Sequence, residues 1–298
     1  SKLLIAAAER AEAVRGADMF GIRAEPPRID GAAVMARLRA ERDRFVGFVR
    51  EAVEGFDPAH RVEGHARFRD PHTLAIEGGD TIRAGRIVIA TGSRPARPRA
   101  LEAAGDRLAV NDDVFDWQDL PGSVAVLGGG VIGLELGQAL ARLGVRVCLF
   151  GKGGDVGPLT DPDVAGAAAA AVRDHLPFNT DADIREIRRE RDGVRLTFLD
   201  DRAERHERFD LLLAATGRRP NLDTLDIEKA GLALDDRGVP VFDPLTMRAG
   251  ESHIFLAGDA SARIPLLHEA ADDGRIAGEN AARFPEVLAH RRRAPLAI

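Results

Sequence analysis

The chain has 298 residues, 45% of them hydrophobic and 30% charged, which suits one large or two ordinary folded domains. A formal net charge of -6 gives no reason to expect nucleic acid or an anionic membrane surface as a partner. Cys148 is the only cysteine, so an intrachain disulfide, a cysteine-rich secreted scaffold and a cysteine zinc site are excluded. No metal site is expected, and a reducing cytoplasm fits this composition best.

The first residues read SKLLIAAAERAEAV and contain no initiator methionine. Glu9 and Arg10 interrupt the apolar run, which is therefore too short to span a membrane and is typical of an amphipathic helix. A second long helix is predicted before residue 56, where hydrophobic residues recur at intervals of three and four: Val34, Leu38, Phe45, Phe48, Val49 and Val53.

The next part of the chain has the pattern of strands and turns. Short β-branched runs broken by DP, GGD and AG predict two or three short strands, followed by a buried one in RIVIA. Beyond WQDLPGS, the stretch VAVLGGGVIGLELGQALARLGVRVCLF predicts a strand, a glycine turn, a helix and a second strand, with a domain boundary near residues 119–122. Residues 184–210 are interpreted as a meander with a solvated, charged face.

The glycines of GGGVIG have the spacing G-x-G-x-x-G, with a strand predicted before them at 124–127 and a helix after them at 134–143. In this context the spacing predicts dinucleotide binding. Gly128 allows the tight turn, Gly130 lets a pyrophosphate approach the backbone, and Gly133 lets the helix pack on the strand. The phosphates would bind at the positive N-terminus of the helix. A glycine-rich turn without a ligand is the alternative.

A second position of this unit bears on the choice of dinucleotide. NAD-binding units carry an acidic residue about 20 residues after the glycines, where it binds the ribose hydroxyls. Here Gly151 occupies that place and Lys152 follows it, in LFGKGGD. A cation beside a missing carboxylate favours the 2'-phosphate of NADP(H). A solvated surface lysine, or a carboxylate supplied by Asp155, are the alternatives.

Glu135 is an acid in the first turns of the predicted helix, among the apolar residues Leu134, Leu136 and Leu140. A buried acid needs a partner of opposite charge or a set of hydrogen bonds. The alternative is a carboxylate that is favoured only by the helix dipole.

Four motifs occur in the order IVIATGSRP, GGGVIGLELG, LLAATGRRPN and IFLAGDASARIPLLHEAADDG. With them the sequence resembles the flavin-dependent pyridine nucleotide–disulfide oxidoreductases, and most of all their dihydrolipoamide dehydrogenase branch. The resemblance covers nearly the whole chain. It implies an α/β fold of nested Rossmann-like, three-layer ββα domains that bind FAD and NAD(P). The implied domains are a partial FAD-binding domain of helices and antiparallel strands (1–118), an NAD(P)-binding domain (119–242), a return to the FAD-binding or central domain (243–290) and the start of an interface domain (291–298).

On the FAD side, the resemblance implies that Asp259, after Gly258 in IFLAGD, accepts hydrogen bonds from the ribityl hydroxyls. It places the backbone of Ala66 at the adenine end of FAD. The ATGS residues are implied near the same cofactor: Thr91, Gly92 and Ser93. The segment in IPLLHEA is implied to approach the flavin ring mainly through its backbone: Pro265, Leu266, Leu267 and His268.

On the NAD(P) side, the resemblance places Gly217 of ATGR beside the nicotinamide nucleotide and Ile184 near the adenine. The turn residues implied to bind the dinucleotide are Gly128, Gly130, Val131, Ile132 and Gly133. Val131 stands where glutathione reductase-like members carry a tyrosine over the flavin. Such an aliphatic residue is more like the lipoamide branch.

Ser1 and Lys2 match the end of a family motif, Cys-x4-Cys followed by a hydrophobic residue, Pro, Ser and Lys. The resemblance therefore implies that Lys2 forms a buried ion pair with Glu135 beside the flavin. It also implies that the redox cysteines precede Ser1, and that the catalytic His and Glu of the interface domain follow Ile298. The last residues, HRRRAPLAI, end in an apolar run where a strand is expected to start. We therefore expect an internal piece with no catalytic residue of its own, in which Cys148 is buried and inert.

The activity implied by the resemblance is electron transfer between NAD(P)H, FAD and a small-molecule or lipoyl disulfide, in a cytoplasmic homodimer that serves redox homeostasis. This chain is expected to bind a pyridine dinucleotide but to hold FAD poorly or not at all. Two alternatives remain. One is a soluble pyridine nucleotide transhydrogenase or NAD(P)H oxidase of the same fold, and the other is a non-catalytic dinucleotide-binding module.

Overall fold

The computed structural model describes residues 1–200 and 203–291 of the chain. Within these ranges the α-helices are α1 (Lys2–Arg15), α2 (Gly31–Glu54), α3 (Val131–Arg142), α4 (Pro162–Arg173) and α5 (Leu267–Arg283). The strands of the first half are β1 (Ala66–Asp70), β2 (Thr73–Ile76), β3 (Thr81–Arg83), β4 (Ile87–Ile89), β5 (Ser93–Pro95), β6 (Leu108–Val110), β7 (Ser123–Leu127) and β8 (Arg146–Phe150). Those of the second half are β9 (Phe178–Asn179), β10 (Asp183–Glu190), β11 (Gly193–Asp200), β12 (Ala203–Phe209), β13 (Leu211–Ala214), β14 (Arg218–Pro220), β15 (Phe242–Asp243), β16 (Arg248–Ala249) and β17 (Ile254–Leu256).

The chain forms two compact units. The first consists of Ser1–Gly55 and Pro95–Gly217, and the second of Phe56–Arg94 and the chain from Arg218 onward. The assignment of FAD-binding, NAD(P)-binding and interface domains to stretches of the chain stays a prediction. The strand expected at the start of an interface domain falls in residues 292–298, outside the described residues.

The first unit is built on a parallel sheet with the strand order β6-β13-β7-β8-β9. Strand β7 lies in its middle and is buried along its whole length, as expected for a parallel strand covered on both faces. Its side chains alternate: Val124 and Val126 belong to a core shared with helices α1 and α3, whereas Ala125 and Leu127 belong to a core shared with β11. Helices, parallel sheet and meander thus form the three layers of the predicted ββα fold.

The predicted strand, glycine turn, helix and second strand are all present, as β7, α3 and β8. Helix α3 begins at Val131, three residues before the predicted start, because Gly130 is its N-cap residue. The meander predicted at 184–210 is the antiparallel sheet β10-β11-β12. Residues 201 and 202, between β11 and β12, lie outside the described residues.

Helix α2 confirms the long helix predicted before residue 56, and the carboxylate of Asp30 caps it by accepting a hydrogen bond from the Ala33 N–H. Its hydrophobic stripe is buried only near its start, at Met35 and Leu38. The later members of the stripe are about half exposed: Phe45, Phe48, Val49 and Val53.

The second unit holds two small sheets, β1-β2-β3 and β15-β16-β17-β4. The predicted buried strand RIVIA is β4, which pairs in parallel with β17 of the IFLAGD motif. Helix α5 covers β17, and its Ile276 and Ala277 share a core with Phe255. No helix within the described ranges is both long enough and apolar enough to cross a membrane.

Candidate functional site

The turn from β7 to α3 needs two of its three glycines for packing. Gly128 has a φ of 121°, and a Cβ there would collide with the carbonyl oxygen of Ala215. A Cβ at Gly133 would collide with the carbonyl oxygen of Gly128, within the turn itself. These two glycines are therefore explained by the close approach of the helix to the strands.

Gly130 has no such explanation. Its backbone is extended, with φ -74° and ψ 176°, and a Cβ there would meet no atom within 4 Å. It is exposed, and no side chain caps the N-terminus of α3. The first turn of α3 also contains no acidic residue, so none of its own side chains neutralises the positive end of the helix dipole. Open space and uncapped N–H groups are what a bound pyrophosphate requires.

The candidate residues after Gly130 and after strand β8 differ in how exposed they are. Val131 is 39% exposed at the start of α3, and Ile132 is partly buried against the core of the unit. Lys152 is exposed, immediately after the buried Gly151, and Asp155 is exposed on the same turn. Both charged side chains thus lie at the carboxyl edge of the parallel sheet, where ligands of such folds bind.

Two further predicted residues lie in the same unit. Gly217 comes after β13 with a φ of 100°, and its carbonyl oxygen accepts a hydrogen bond from the Ala96 N–H at 2.9 Å. Ile184 lies in β10 and packs against the core beneath the meander. Contact of either residue with a nucleotide stays a prediction.

Lys2 and Glu135 lie together in the first unit. The Lys2 Nζ donates to Oε1 of Glu135 at 2.7 Å, and the Ser1 hydroxyl donates to Oε2 at 2.6 Å. Burial acts to raise the pKa of Glu135, but the hydrogen bonds from Lys2 and Ser1 outweigh it and hold the pKa below its ordinary value. The pair was expected to be buried, and it is not. The Lys2 side chain is 82% exposed and the Glu135 side chain is 26% exposed.

In the second unit, Asp259 lies in a short 3-10 turn, Gly258–Ser261, after β17. Its carboxylate accepts a hydrogen bond from the Ser93 hydroxyl at 2.7 Å, and the same hydroxyl accepts one from Nε of Arg218 at 2.8 Å. The Arg218 guanidinium also donates to the Ser93 carbonyl oxygen at 2.9 Å. Arg218 was missed by the sequence analysis, although it directly follows the ATG of the ATGR motif.

The ATGS loop is held by Asn221, which directly follows β14 and was also missed. Its side-chain amide donates to the Thr91 carbonyl oxygen at 2.9 Å, and its backbone carbonyl oxygen accepts from the Thr91 hydroxyl at 2.8 Å. The Asn221 N–H donates to the carbonyl oxygen of Gly92 at 2.9 Å. Asn221 ends the RRPN motif, so the motif itself was the available signal.

The other residues implied to contact FAD also lie in the second unit. Ala66 begins β1 opposite Ile76 of β2. Helix α5 begins at Leu267 after the N-cap residue Leu266, without a side-chain cap, so its first N–H groups are available to a ligand. His268 is 54% exposed, and Glu269 beside it is buried and lies 3.3 Å from the Arg263 guanidinium.

Cys148 lies in β8 and is 7% exposed. Burial is the main reason that its pKa is raised to about 12. At neutral pH the side chain is therefore a thiol, as expected for an inert cysteine.

The family follows from a match along most of the chain. Residues 1–274 match the family described as "Pyridine nucleotide-disulphide oxidoreductase". The chain belongs to this family. Enzymes of the pyridine nucleotide–disulphide oxidoreductase family use FAD and NAD(H).

Relatives of known name agree with this assignment. The chain is 32% identical to the dihydrolipoyl dehydrogenase of Haloferax volcanii over 297 residues, which are 96% of this chain and 61% of that protein. It is 29% identical to the dihydrolipoyl dehydrogenase of Haemophilus influenzae, with coverage of 94% and 59%. The chain thus spans about three fifths of the length of these curated relatives.

Among solved structures, the chain resembles the flavoprotein disulfide reductase RclA from Escherichia coli in its Cu(II) complex. The TM-score is 0.75 at 24% sequence identity, over 94% of this chain and 59% of RclA. At this identity the likeness concerns the fold alone.

Proposed function

We propose that this chain is the dinucleotide-binding part of a flavin-dependent, NAD(P)-linked disulfide oxidoreductase of the dihydrolipoyl dehydrogenase type. The observation that carries the proposal is the open space over Gly130 at the uncapped N-terminus of α3. Gly128 and Gly133 are required by packing, whereas a glycine at position 130 is best explained by a ligand that approaches the backbone there.

The residues of the first unit have separate roles in this proposal. The N–H groups at the start of α3 bind the pyrophosphate: Val131, Ile132 and Gly133. Gly217 lies beside the nicotinamide nucleotide and Ile184 near the adenine. The N–H groups and the helix dipole bind the pyrophosphate without a side-chain charge in the first turn of α3.

The residues of the second unit would hold FAD. Asp259 is held by Ser93 as an acceptor for ribityl hydroxyls, and Ala66 lies at the adenine end. The backbone at Pro265 to His268 and the Thr91–Gly92 loop complete the FAD contacts on this unit. When bound, FAD supplies the hydride and electron transfer between NAD(P)H and a disulfide. For the first unit, the proposed role of the Lys2–Glu135 ion pair is that of a flavin-proximal pair, as the family resemblance implies.

The disulfide chemistry itself is not assigned to any residue of this chain. Cys148 is its only cysteine and its pKa is raised to about 12, so it cannot serve as a thiolate nucleophile near neutral pH. We propose that the 298 residues bind dinucleotide but do not complete a disulfide oxidoreductase cycle alone. A lipoyl or small-molecule disulfide as substrate, a homodimer, and a cytoplasmic role in redox homeostasis remain proposals for the whole enzyme.

Calorimetric titration of the purified chain with NADH and with NADPH tests the proposal. Saturable binding of at least one dinucleotide, competed by its adenosine half, is the expected result. Absence of saturable binding of either would contradict the proposal. A parallel titration with FAD, followed by flavin absorbance, is expected to show weak binding or none, and stoichiometric binding would contradict this expectation.

A further inference from the structure

The end of β8 cannot carry the acid that usually binds the adenosine ribose in NAD-binding units. Gly151 occupies that position, and residues 179–182, at the end of β9 and after it, bond to both sides of it. The Gly151 N–H donates to the Asn179 carbonyl oxygen at 2.7 Å, and the Gly151 carbonyl oxygen accepts from the Ala182 N–H at 3.0 Å. A Cβ at Gly151 would lie 2.6 Å from the Thr180 carbonyl oxygen. Such a contact excludes any side chain there unless the loop moves, so the missing carboxylate has a steric cause.

The same loop brings a different carboxylate to this place. Oδ1 of Asp181 accepts a hydrogen bond from the Gly153 N–H at 2.7 Å, and the Thr180 carbonyl oxygen accepts one from the Gly154 N–H at 3.1 Å. The segment after β8 is also hydrogen-bonded to the glycine turn before α3, because the Gly157 N–H donates to the Gly129 carbonyl oxygen at 2.7 Å. Asp181 is therefore one hydrogen bond away from a turn that borders the proposed dinucleotide site.

We propose that the carboxylate of Asp181 binds the adenosine ribose hydroxyls of the dinucleotide and thereby selects NAD(H) over NADP(H). The inference rests on the proposed function of the glycine turn. The Asp181 side chain is exposed, and within the described ranges its Oδ2 accepts no hydrogen bond, so one carboxylate oxygen is available to a hydroxyl donor. A 2'-phosphate at the same place would meet this carboxylate as a like charge.

Lys152 favours the opposite selectivity, because a cation on this turn attracts a 2'-phosphate. It is exposed, and it makes no hydrogen bond or ion pair within the part of the chain that the structure describes. A long side chain without a fixed position contributes less to selectivity than a carboxylate that is anchored through one of its oxygens. The two residues thus make opposite predictions that can be measured.

The test is the ratio of the NADPH dissociation constant to the NADH dissociation constant, measured by calorimetry on the 298-residue chain and three variants. Asp181→Asn keeps an oxygen for the Gly153 N–H but removes the charge. Asp183→Asn is the matched control, since Asp183 lies two residues away and pairs with Arg185 at 2.5 Å. Lys152→Gln tests whether Lys152, rather than Asp181, determines the preference between NADH and NADPH. The adenosine halves 5'-AMP and 2',5'-ADP provide the same comparison without the nicotinamide.

We expect the unchanged chain to bind NADH about tenfold or more tightly than NADPH. Asp181→Asn should lower this ratio by about tenfold, whereas Asp183→Asn and Lys152→Gln should leave it unchanged. An unchanged ratio in Asp181→Asn with normal thermal unfolding, or tighter binding of NADPH than of NADH by the unchanged chain, overturns the role of Asp181 alone. Failure of every nucleotide to bind the unchanged chain overturns it together with the proposed function.

Discussion

The ammonium of Lys2 donates a 2.7 Å hydrogen bond to the carboxylate of Glu135, 133 residues away in the chain. The pair joins the start of α1 to the second turn of α3, and the Ser1 hydroxyl donates to the other oxygen of the same carboxylate. Because the Lys2 side chain is largely exposed, solvent screening keeps the contribution of the pair to stability small.

We expect Glu135→Gln to lower the free energy of unfolding by about 0.5 to 1 kcal/mol at pH 7. The pKa of Glu135 lies below its ordinary value of 4.5, so the stabilisation is present above that pH and is lost as the pH falls further. The difference between the two proteins should therefore be smaller at pH 3 than at pH 7. Urea unfolding at pH 7, 5 and 3 measures it.

Glu12→Gln is the matched control, because Glu12 pairs with Arg15 on the exposed face of α1 at 3.1 Å. It should change stability less than Glu135→Gln at pH 7. An equal loss of stability in Glu135→Gln at pH 7 and pH 3 would mean that the ionised carboxylate is not the source of the stabilisation.

Gly130 and Gly133 give opposite predictions for the same substitution. Gly130→Ala meets open space and an extended backbone, so the free energy of unfolding should fall by no more than about 1 kcal/mol, the cost of alanine in place of glycine at an N-cap. Affinity for NADH should fall about tenfold or more, because the methyl group occupies the place of the pyrophosphate. Gly133→Ala would collide with the Gly128 carbonyl oxygen and should lower stability by about 2 kcal/mol or more.

Gly166→Ala in α4 controls for the change of residue type, since a Cβ there meets nothing within 4 Å and lies outside the glycine turn. Thermal unfolding and NADH titration are measured on all three variants. Normal NADH affinity in Gly130→Ala would remove the observation on which the proposed function depends.

The βαβ unit could be predicted from the sequence because its signals are local. Glycine spacing, an apolar strand and the helix that follows all lie within about 30 residues. Burial in α2 could not be predicted in the same way. Its period of three to four extends to Val53, yet only Met35 and Leu38 are buried, because periodicity defines a hydrophobic face but not how far other elements of the unit cover it.

The hydrogen bonds around Asp259 could not be predicted from the sequence, because they join residues that are far apart in the chain. Ser93, Arg218 and Asp259 come from three segments, and the Ser93 to Asp259 bond alone spans 166 positions. Asp181 was missed likewise, because sequence spacing directs the search for a ribose acid to the turn after β8. The collision that excludes a side chain at Gly151 depends on the backbone of Thr180, which no spacing rule reports.

Cys148 tests the expected absence of thiol chemistry in this chain. It borders a cavity of about 750 Å³, so a small reagent has access to its surroundings, but its pKa is raised to about 12. At pH 8 the thiolate fraction is then about 1,000-fold lower than that of an ordinary cysteine. Iodoacetamide should alkylate the folded chain roughly 1,000-fold more slowly than the chain unfolded in guanidinium. Intact mass against time measures both rates, and equal rates would contradict the predicted inertness.

The last prediction concerns the hydrogen bonds from Arg218 to Ser93 and from Ser93 to Asp259. Ser93→Ala removes the donor to the carboxylate and the acceptor of the Arg218 Nε proton, so we expect a loss of about 1 to 2 kcal/mol in the free energy of unfolding. Ser93→Thr keeps the hydroxyl and should lose less. Arg218→Lys cannot reproduce the paired donation to the Ser93 hydroxyl and carbonyl oxygens.

A double-mutant cycle with Ser93→Ala and Arg218→Lys, followed by urea unfolding, separates this relationship from independent effects of the two residues. A coupling energy of about 0.5 kcal/mol or more is expected if the hydrogen bonds from Arg218 to Ser93 contribute to stability, in addition to the direct approach of the Arg218 Nε to Oδ2 of Asp259 at 4.0 Å. Additive losses would mean that Arg218 stabilises the loop in some other way. If Asp259 binds the ribityl chain as proposed, Ser93→Ala should also weaken FAD binding more than Ser93→Thr does, because only the alanine variant leaves the carboxylate free to rotate away from the hydroxyls.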